Sequence, residues 1–342
     1  MADYYPILKG RKGELEAIGN IDDELAPHIL PVFDVPPSDN GPIKDARAFS
    51  RQAQRTVPRD MAIAVDIRHL ADPTSGIRRP LPDIAEDLHQ WGTPFLPVAH
   101  LRDTPGRMAD IREAAALHGH GAVLRLEDDI DHDEIDIRLS DLLSATELTA
   151  AECVLILDAA EVRSEHDLTR VEPLIHKRLN RVERHPWKAV ALAAGAMPRS
   201  ISHLPPGRPT PLRRWDLDLW RRLHDHGLAF ADYGITHPQV ASGRGRPAPN
   251  LRYTDHDVWW AYRAHGDNDG NQAIHHLCQA LVSADHWPDV GRRFSWGDEQ
   301  IALRASHHAG PGTPSQWISW GTSHHLAHVS TQLGLCHPIP NT

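Results

Sequence analysis

Short apolar runs recur along the chain at intervals of 24 to 41 residues, and most are continuous rather than alternating. Continuous apolar runs are typical of parallel strands that are buried on both faces. Stretches with apolar residues at helical spacing lie between them, at 43–57, 105–119, 161–184 and 209–227. The predicted strands are 4–9, 28–34, 61–67, 94–100, 121–126, 152–158, 187–194 and 228–233.

Eight strands alternating with helices in units of roughly 31 residues are the pattern of a (β/α)8 barrel. The alternative is an open, doubly wound sheet. No Gly-x-Gly-x-x-Gly follows the first strand, which argues against that alternative. The sequence therefore predicts an α/β protein with a TIM-like (β/α)8 barrel core over residues 1–233.

The regular spacing ends after residue 233. A loop rich in Gly, Pro and Arg (234–249) precedes a predicted β-hairpin at 250–264. Residues 270–287 read as a helix and are a candidate for the displaced eighth barrel helix. A further helix within 317–334 is expected to begin at Thr322 or Ser323. We expect residues 234–342 to form a C-terminal elaboration packed on the barrel and carrying the displaced last helix.

Polar residues cluster where the predicted strands end, which is the edge that carries the active site in barrel enzymes. Four strands end in pairs two residues apart, so both side chains of each pair point to the same face. These pairs are Lys9/Arg11, Asp66/Arg68, His100/Arg102 and Arg125/Glu127. Asp34, Asp158, Arg199, Asp232 and Tyr233 end other strands or follow them.

A ring of mixed charge at this edge predicts a pocket for an anionic or strongly polar ligand. Lys9, Arg68, Arg125 and Arg199 would hold the anion, and Asp66 or Glu127 would serve as general base or metal ligand. Because the hairpin follows the last strand, we expect it beside the mouth, with Arg252 or Tyr253 near Arg125. The alternative is that these charges only neutralise one another at a solvated rim.

Metal binding stays open on the sequence. The carboxylates Asp34, Asp66, Glu127, Asp158 and Asp232 offer the oxygen ligands that Mg²⁺ prefers. His324 and His328 have the i, i+4 spacing of a shared metal, but the glutamate of the zincin motif is replaced by His325. The free N–H groups of a helix beginning near 321–323 are instead a candidate phosphate site.

Composition narrows the class of partner. The net charge is −10, which argues against binding of duplex nucleic acid. Only five of the 36 basic residues are lysine, and arginine suits carboxylates and phosphates. Twenty-five histidines predict that the net charge of the protein changes with pH near 6.5.

The sequence shows no apolar stretch long enough to span a membrane and no signal peptide, and its three cysteines are scattered. We therefore expect a cytoplasmic protein.

Several fragments resemble the bacterial and phage "beta family" proteins. They are YYPILKGRKGELEA, PVFDVPP, NLRYTDHDVWWAYRAHG, FSWGDEQIA and the spaced set Trp317, Gly321, His324 and His325, and they span residue 4 to about 330. The resemblance implies a prokaryotic or phage origin and, through the gene neighbourhoods of related barrels, a setting in phage defence. It carries no catalytic residues and no settled activity to this chain.

Two functions therefore remain open. In the first, the mouth binds a phosphorylated or nucleotide-like anion, and whether it also cleaves or modifies that anion stays open. In the second, the protein is a non-catalytic recognition or immunity component that binds a protein partner, and its charged mouth is structural.

Overall fold

Eight parallel strands close into a barrel in a computed structural model that describes residues 2–73, 77–127, 132–240, 248–265 and 271–335. Each barrel strand pairs with the next barrel strand, and the last pairs with the first through Tyr4↔Phe230 and Tyr5↔Ala231. All eight predicted strands are confirmed. They are β1 (Tyr4–Lys9), β2 (Val32–Asp34), β3 (Ile63–Asp66), β4 (Phe95–His100), β5 (Ala122–Leu126), β6 (Cys153–Glu161), β7 (Ala189–Gly195) and β9 (Ala229–Asp232).

Helices follow the strands and cover the outside of the barrel. They are α1 (Lys12–Gly19), α2 (Pro42–Thr56), α3 (Pro80–Gln90), α4 (Pro105–His118), α5 (Ile135–Thr146), α6 (Glu165–Val182) and α7 (Trp215–Leu223). A core of Leu, Ile and Phe side chains fills the space between strands and helices. A second cluster fills the barrel interior, where β1, β4 and β6 contribute alternate residues such as Tyr5, Val98 and Ile156.

The predicted helix at 209–227 is only partly correct. Its first residues form the strand β8 (Thr210–Arg213), and α7 begins at Trp215. Pro209 and Pro211 lack an N–H group and disfavour helical backbone in the residue before them, so the segment stays extended. β8 is an edge strand, where the missing N–H of Pro211 is tolerated.

The hairpin at 250–264 is confirmed as β10 (Asn250–Asp255) and β11 (Val258–Arg263), which pair antiparallel. With β8 they form a three-stranded sheet in the order β10-β11-β8. Both faces of this sheet are buried: Tyr253 and Tyr262 pack in one apolar cluster, and Trp259 and Ala261 in another.

Three helices complete the C-terminal part: α8 (Ile274–Val282), α9 (Trp296–Ala305) and α10 (Pro314–Gln332). α8 packs mainly on α9, whereas α10 packs against α1 of the barrel and against β10. Among the described residues, α10 therefore lies beside the first barrel helix. The division of the chain at residue 234 stays a prediction, and residues 241–247 of the predicted loop lie outside the described residues.

The predicted start of the last helix is wrong by about nine residues. α10 begins with a capping box of Thr313 and Gln316, so Thr322 and Ser323 lie inside the helix. Their backbone N–H groups are used by the helix, which removes the proposed phosphate site at 321–323. Gly321 is not a helix break. It lies where α10 crosses β10, and a Cβ atom there would come within 2.6 Å of the Arg252 carbonyl oxygen.

No helix among the described residues is both long enough and apolar enough to cross a lipid bilayer.

Candidate functional site

The interior of the barrel changes from apolar to polar at the carboxyl ends of its strands. Alternate residues of each strand face the interior, and most of them are apolar. At the carboxyl end of each strand, one last residue faces the interior. In seven strands that final residue is polar, and in β7 it is Gly195. The seven are Lys9, Asp34, Asp66, His100, Arg125, Asp158 and Tyr233.

Arg125 is the centre of this polar layer and is only 1% exposed. Its Nε donates to Asp158 (2.7 Å), its Nη1 to Asp34 (2.7 Å) and Asp66 (3.1 Å), and its Nη2 to the Tyr233 hydroxyl (2.6 Å). Tyr233 in turn donates to Asp158 (2.6 Å). One guanidinium thus links β5 to four other strands across the barrel.

The carboxylates of the layer stay ionised despite full burial. Burial raises the pKa of Asp34, but the charges of Arg125 and Lys9 outweigh it and hold that pKa at about 2. Asp66 also has a lowered pKa, because His100 and Arg125 outweigh the effect of burial. Asp158 follows the same pattern through Arg125 and the Tyr233 hydroxyl. Three buried carboxylates therefore face two buried cations, Arg125 and Lys9.

Lys9 closes one side of the layer. Its Nζ donates to Asp34 (2.8 Å) and to the carbonyl oxygen of Pro238 (2.5 Å), in the loop that follows β9. Pro238 also lies over Gly195, where a Cβ atom would come within 2.5 Å of its ring. The loop after β9 therefore covers the layer on the side of β1, β7 and β9.

The opposite side of the layer reaches solvent through Arg68, His69, His100 and Glu127, whose side chains are 19%, 26%, 12% and 31% exposed. Arg68 forms an ion pair with Glu127, and its Nε donates to His69 Nε2 (3.2 Å). His100 Nε2 lies 2.9 Å from Asp66, and its Nδ1 lies 3.7 Å from Glu127. We call these four residues the rim quartet.

Of the quartet, the sequence predicts His100 at the mouth only in its pair with Arg102 and without a role of its own, and it does not predict His69. His100 is an interior residue at a strand end, two before Arg102, and that position was a signal for it. His69 carries no such signal, because it follows β3 in a loop. Burial lowers the pKa of His69, so its imidazole is neutral near pH 7.

Several predicted ligand residues lie outside the polar layer. Arg11, Arg102 and Arg199 are exposed, and Arg199 hydrogen-bonds to Gln239. They follow β1, β4 and β7, so they stand around the mouth rather than in its floor.

Asp232 does not face the mouth, contrary to prediction. It accepts hydrogen bonds from the Tyr4 hydroxyl (2.8 Å), the Gly234 N–H (3.0 Å) and His325 Nε2 (2.8 Å), the last from α10 on the outside of the barrel. Neighbouring residues of a strand point to opposite faces, so Tyr233 inside requires Asp232 outside.

The predicted approach of Arg252 or Tyr253 to Arg125 is also wrong. Tyr253 donates to Asp298 (2.7 Å) and stacks on His324 with ring centroids 3.7 Å apart. Arg252 Nη1 donates to the Ile235 carbonyl oxygen (2.8 Å), in the loop after β9. The hairpin is held by α9 and α10 because its two faces are apolar and need covering.

The proposed magnesium ligands do not fit a metal. Asp34, Asp66 and Asp158 converge on the Arg125 guanidinium, which already supplies the positive charge at their meeting point. Asp232 lies on the other face of its strand. A cation at this point would have to displace Arg125.

A separate apolar groove lies between α1, α10 and residues 288–296, with a volume of about 490 Å³. Ile21, Leu25, Phe294, Trp296 and Leu326 line it. It is remote from the polar layer, on the outer surface of the barrel.

Comparison with known proteins finds a match along most of the chain. A family model described as "Beta protein" matches residues 4–331. No curated protein matches the sequence. Among solved structures, triosephosphate isomerase from Bartonella henselae is 14% identical, with 67% of this chain and 90% of that chain covered and a TM-score of 0.35. A mutant tryptophan synthase α-subunit from Pyrococcus furiosus is 13% identical, with 68% and 87% covered and a TM-score of 0.38.

Proposed function

The chain belongs to the beta protein family, and from that premise we propose that the mouth of its barrel binds a small phosphorylated or nucleotide-like anion. The observation that carries the proposal is the rim quartet. It places a partly exposed arginine and a histidine directly on a buried layer of fixed charges, at the edge of the barrel where such folds bind ligands.

The buried layer is costly to maintain. Replacing buried ion pairs with apolar side chains of similar volume is often neutral or stabilising by about 1–4 kcal/mol. The barrel could fill these positions with the Val, Ile and Ala that fill the positions below them. A polar layer in their place supports a functional role, since functional sites often cost a protein stability.

The charge around the mouth favours an anion. Arginine follows five of the eight barrel strands, and its planar fork is suited to phosphate and carboxylate oxygens. Glu127 and Glu161 already pair with two of these arginines. The five are Arg11, Arg68, Arg102, Arg163 and Arg199.

Arg125 is not available to the ligand, because its donors already reach carboxylates and Tyr233. We therefore assign it to the floor of the site, where it holds Asp34, Asp66 and Asp158 in place. Arg68 takes the direct role. Its partner Glu127 is the most exposed of the quartet and can move aside for a ligand anion.

His100 is the group best placed to hold or move a proton. Its Nε2 faces the ionised, buried Asp66, which fixes the orientation of the ring as a carboxylate does in an acid–base pair. Asp66 is fully buried and bonded to Arg68 N–H, His100 and Arg125. The geometry therefore favours Asp66 as a positioning residue and His100 as the group that reaches a ligand.

Thermal denaturation in the presence of inorganic phosphate, pyrophosphate, AMP and citrate tests this proposal. We expect at least one of them to raise the Tm of the wild-type protein, because a ligand that binds only the folded state stabilises it. Arg68→Gln should abolish the rise. Arg138→Gln removes an equally charged side chain from an exposed pair on α5, and should leave the rise intact.

The proposal fails if none of the four anions shifts the Tm, or if Arg68→Gln responds as the wild type does. The second candidate, recognition of a protein partner, would then be preferred. The apolar groove between α1 and α10 favours it, because an open apolar groove of this size is a common docking surface. The phage-related setting suggested by the family resemblance stays a prediction.

A further inference from the structure

Three potential metal ligands meet outside the polar layer, where the turn of the β10–β11 hairpin touches α10. Asp255 ends β10, His256 begins the turn, and His328 belongs to α10. One donor atom from each lies within 4.8 Å of the other two. Two imidazole nitrogens and a carboxylate oxygen are a ligand set that zinc and related divalent ions bind in proteins.

We propose that Asp255, His256 and His328 bind one divalent transition-metal ion of the Zn²⁺ type. The three side chains supply three positions of a tetrahedron, and the fourth faces solvent beside the exposed His256. The ion would fasten the hairpin turn to the last helix.

The spacing of histidines on α10 suggested a different pair, His324 with His328. His324 is already occupied, because one ring nitrogen is 2.9 Å from Asp298 and the other 2.8 Å from the Thr254 carbonyl oxygen. His328 differs from it. Its Nε2 is buried and has no hydrogen-bond partner among the described residues. A buried ring nitrogen without a partner is costly. A metal ion bound by this ring would explain why a histidine is present here.

The turn is held against α10 before any ion binds. The His256 carbonyl oxygen accepts hydrogen bonds from Gln332 Nε2 (3.1 Å) and Arg214 Nη1 (3.3 Å). Gln332 lies one helical turn after His328, so the same contact fixes the distance between His256 and His328. Trp260 Nε1 donates to Asp255 Oδ2 (3.2 Å), which orients the carboxylate in the way that outer partners orient metal ligands.

His256 is 85% exposed, and its ring can rotate to complete the site. The Arg214 guanidinium lies near His328, and its positive charge opposes the binding of a cation there. The Asp255 carboxylate offsets it at the site itself, and Asp216 lies two residues after Arg214 in the chain.

Zinc titration against a chromogenic chelator tests the site on the full chain after removal of metal. The wild-type protein has 25 histidines and should bind one equivalent of Zn²⁺ more tightly than any further equivalents. His256→Ala changes an exposed side chain and should fold normally, yet weaken that equivalent by about tenfold or more. His166→Ala, an exposed histidine on α6, is the matched control and should bind as the wild type does.

Two further measurements give independent readouts. Co²⁺ should produce the visible absorption of a tetrahedral site in the wild type and not in His256→Ala. Zn²⁺ should raise the Tm of the wild type and of His166→Ala, but not that of His256→Ala. The proposal is overturned if His256→Ala and His166→Ala bind Zn²⁺ alike, or if all binding is weak and shared among many equivalents, which indicates surface histidines only.

Discussion

A single residue, Arg125, holds the polar layer of the barrel together. It is fully buried, and the three carboxylates around it have lost their hydration. Removing the Arg125 guanidinium would leave three buried carboxylates without the cation that they share. A layer of this kind is thus fragile to the loss of one member, although it contributes less to stability than an apolar core.

Arg125→Ala should lower the free energy of unfolding by about 3–5 kcal/mol, because it leaves buried charges uncompensated. Tyr233→Phe should cost about 1–3 kcal/mol, because it removes one hydroxyl that both donates and accepts in the same layer. Urea denaturation at pH 7 measures both. Arg138→Ala, in an exposed pair, is the control and should change stability by under about 1 kcal/mol. An Arg125→Ala protein as stable as the control would contradict the central role of this residue.

At the scale of elements, α10 is placed by close approaches that need glycine. Gly321 lets it cross β10, and Gly13 lets α1 come against the start of α10, where a Cβ atom would collide with the Ser315 carbonyl oxygen. α10 also reaches the barrel itself through the His325–Asp232 contact (2.8 Å). The last helix is therefore seated by backbone contacts and by buried polar bonds of His324 and His325.

Gly13→Ala should destabilise the protein by about 1–3 kcal/mol, because overpacking at a backbone contact forces α1 and α10 apart. Alanine is the better helix former, so the sign of the effect separates packing from propensity. Gly310→Ala is the matched control, since nothing lies within 4 Å of a Cβ atom there. Comparison of the two Tm values gives the answer. A more stable Gly13→Ala protein would show that the two helices do not approach as closely as described.

At the scale of the whole molecule, buried histidines outnumber the buried acids that oppose them. Burial lowers the pKa of six histidines and so keeps them neutral: His69, His118, His237, His286, His325 and His328. Burial raises the pKa of Glu14 and of Asp216 to about 7. The two sets have opposite effects on stability as the pH falls.

The Tm should fall as the pH is lowered from 7.5 to 5. The unfolded chain protonates its histidines near pH 6.5 and the folded chain does not, so the stability that the six histidines contribute above pH 6.5 is lost below it. Glu14 and Asp216 act the other way, because each loses stability as the pH rises through about 7. Burial also raises the pKa of Asp103 and Asp110, so six histidines oppose four acids and set the net direction.

Differential scanning calorimetry across this pH range measures the effect. Asp216→Asn removes one opposing group, and should raise the Tm at pH 7.5 and steepen the fall on acidification. A Tm that increases between pH 7 and pH 5 would show that the histidines are not held neutral.

The sequence by itself determined the barrel, its eight strands and the level at which polar residues begin. Strands that are buried on both faces have continuous apolar sequences, so they can be recognised without the structure. Each apolar run ends at the first residue that faces solvent or a polar site. The resemblance to the beta family also rests on sequence alone, and the family match over residues 4–331 confirms it.

Only the tertiary structure decided which strand-end residue faces the interior. When a strand is apolar on both faces, its sequence does not show which residues face the barrel interior. Asp232 and Tyr233 therefore look equivalent in the sequence, although they lie on opposite sides of β9. The same holds for partners distant in the chain. Arg125 meets Asp34, Asp66 and Asp158 because closing the barrel brings the ends of β2, β3 and β6 within reach of one side chain. His328 meets Asp255 and His256 because α10 packs on the hairpin, a contact that no local pattern encodes.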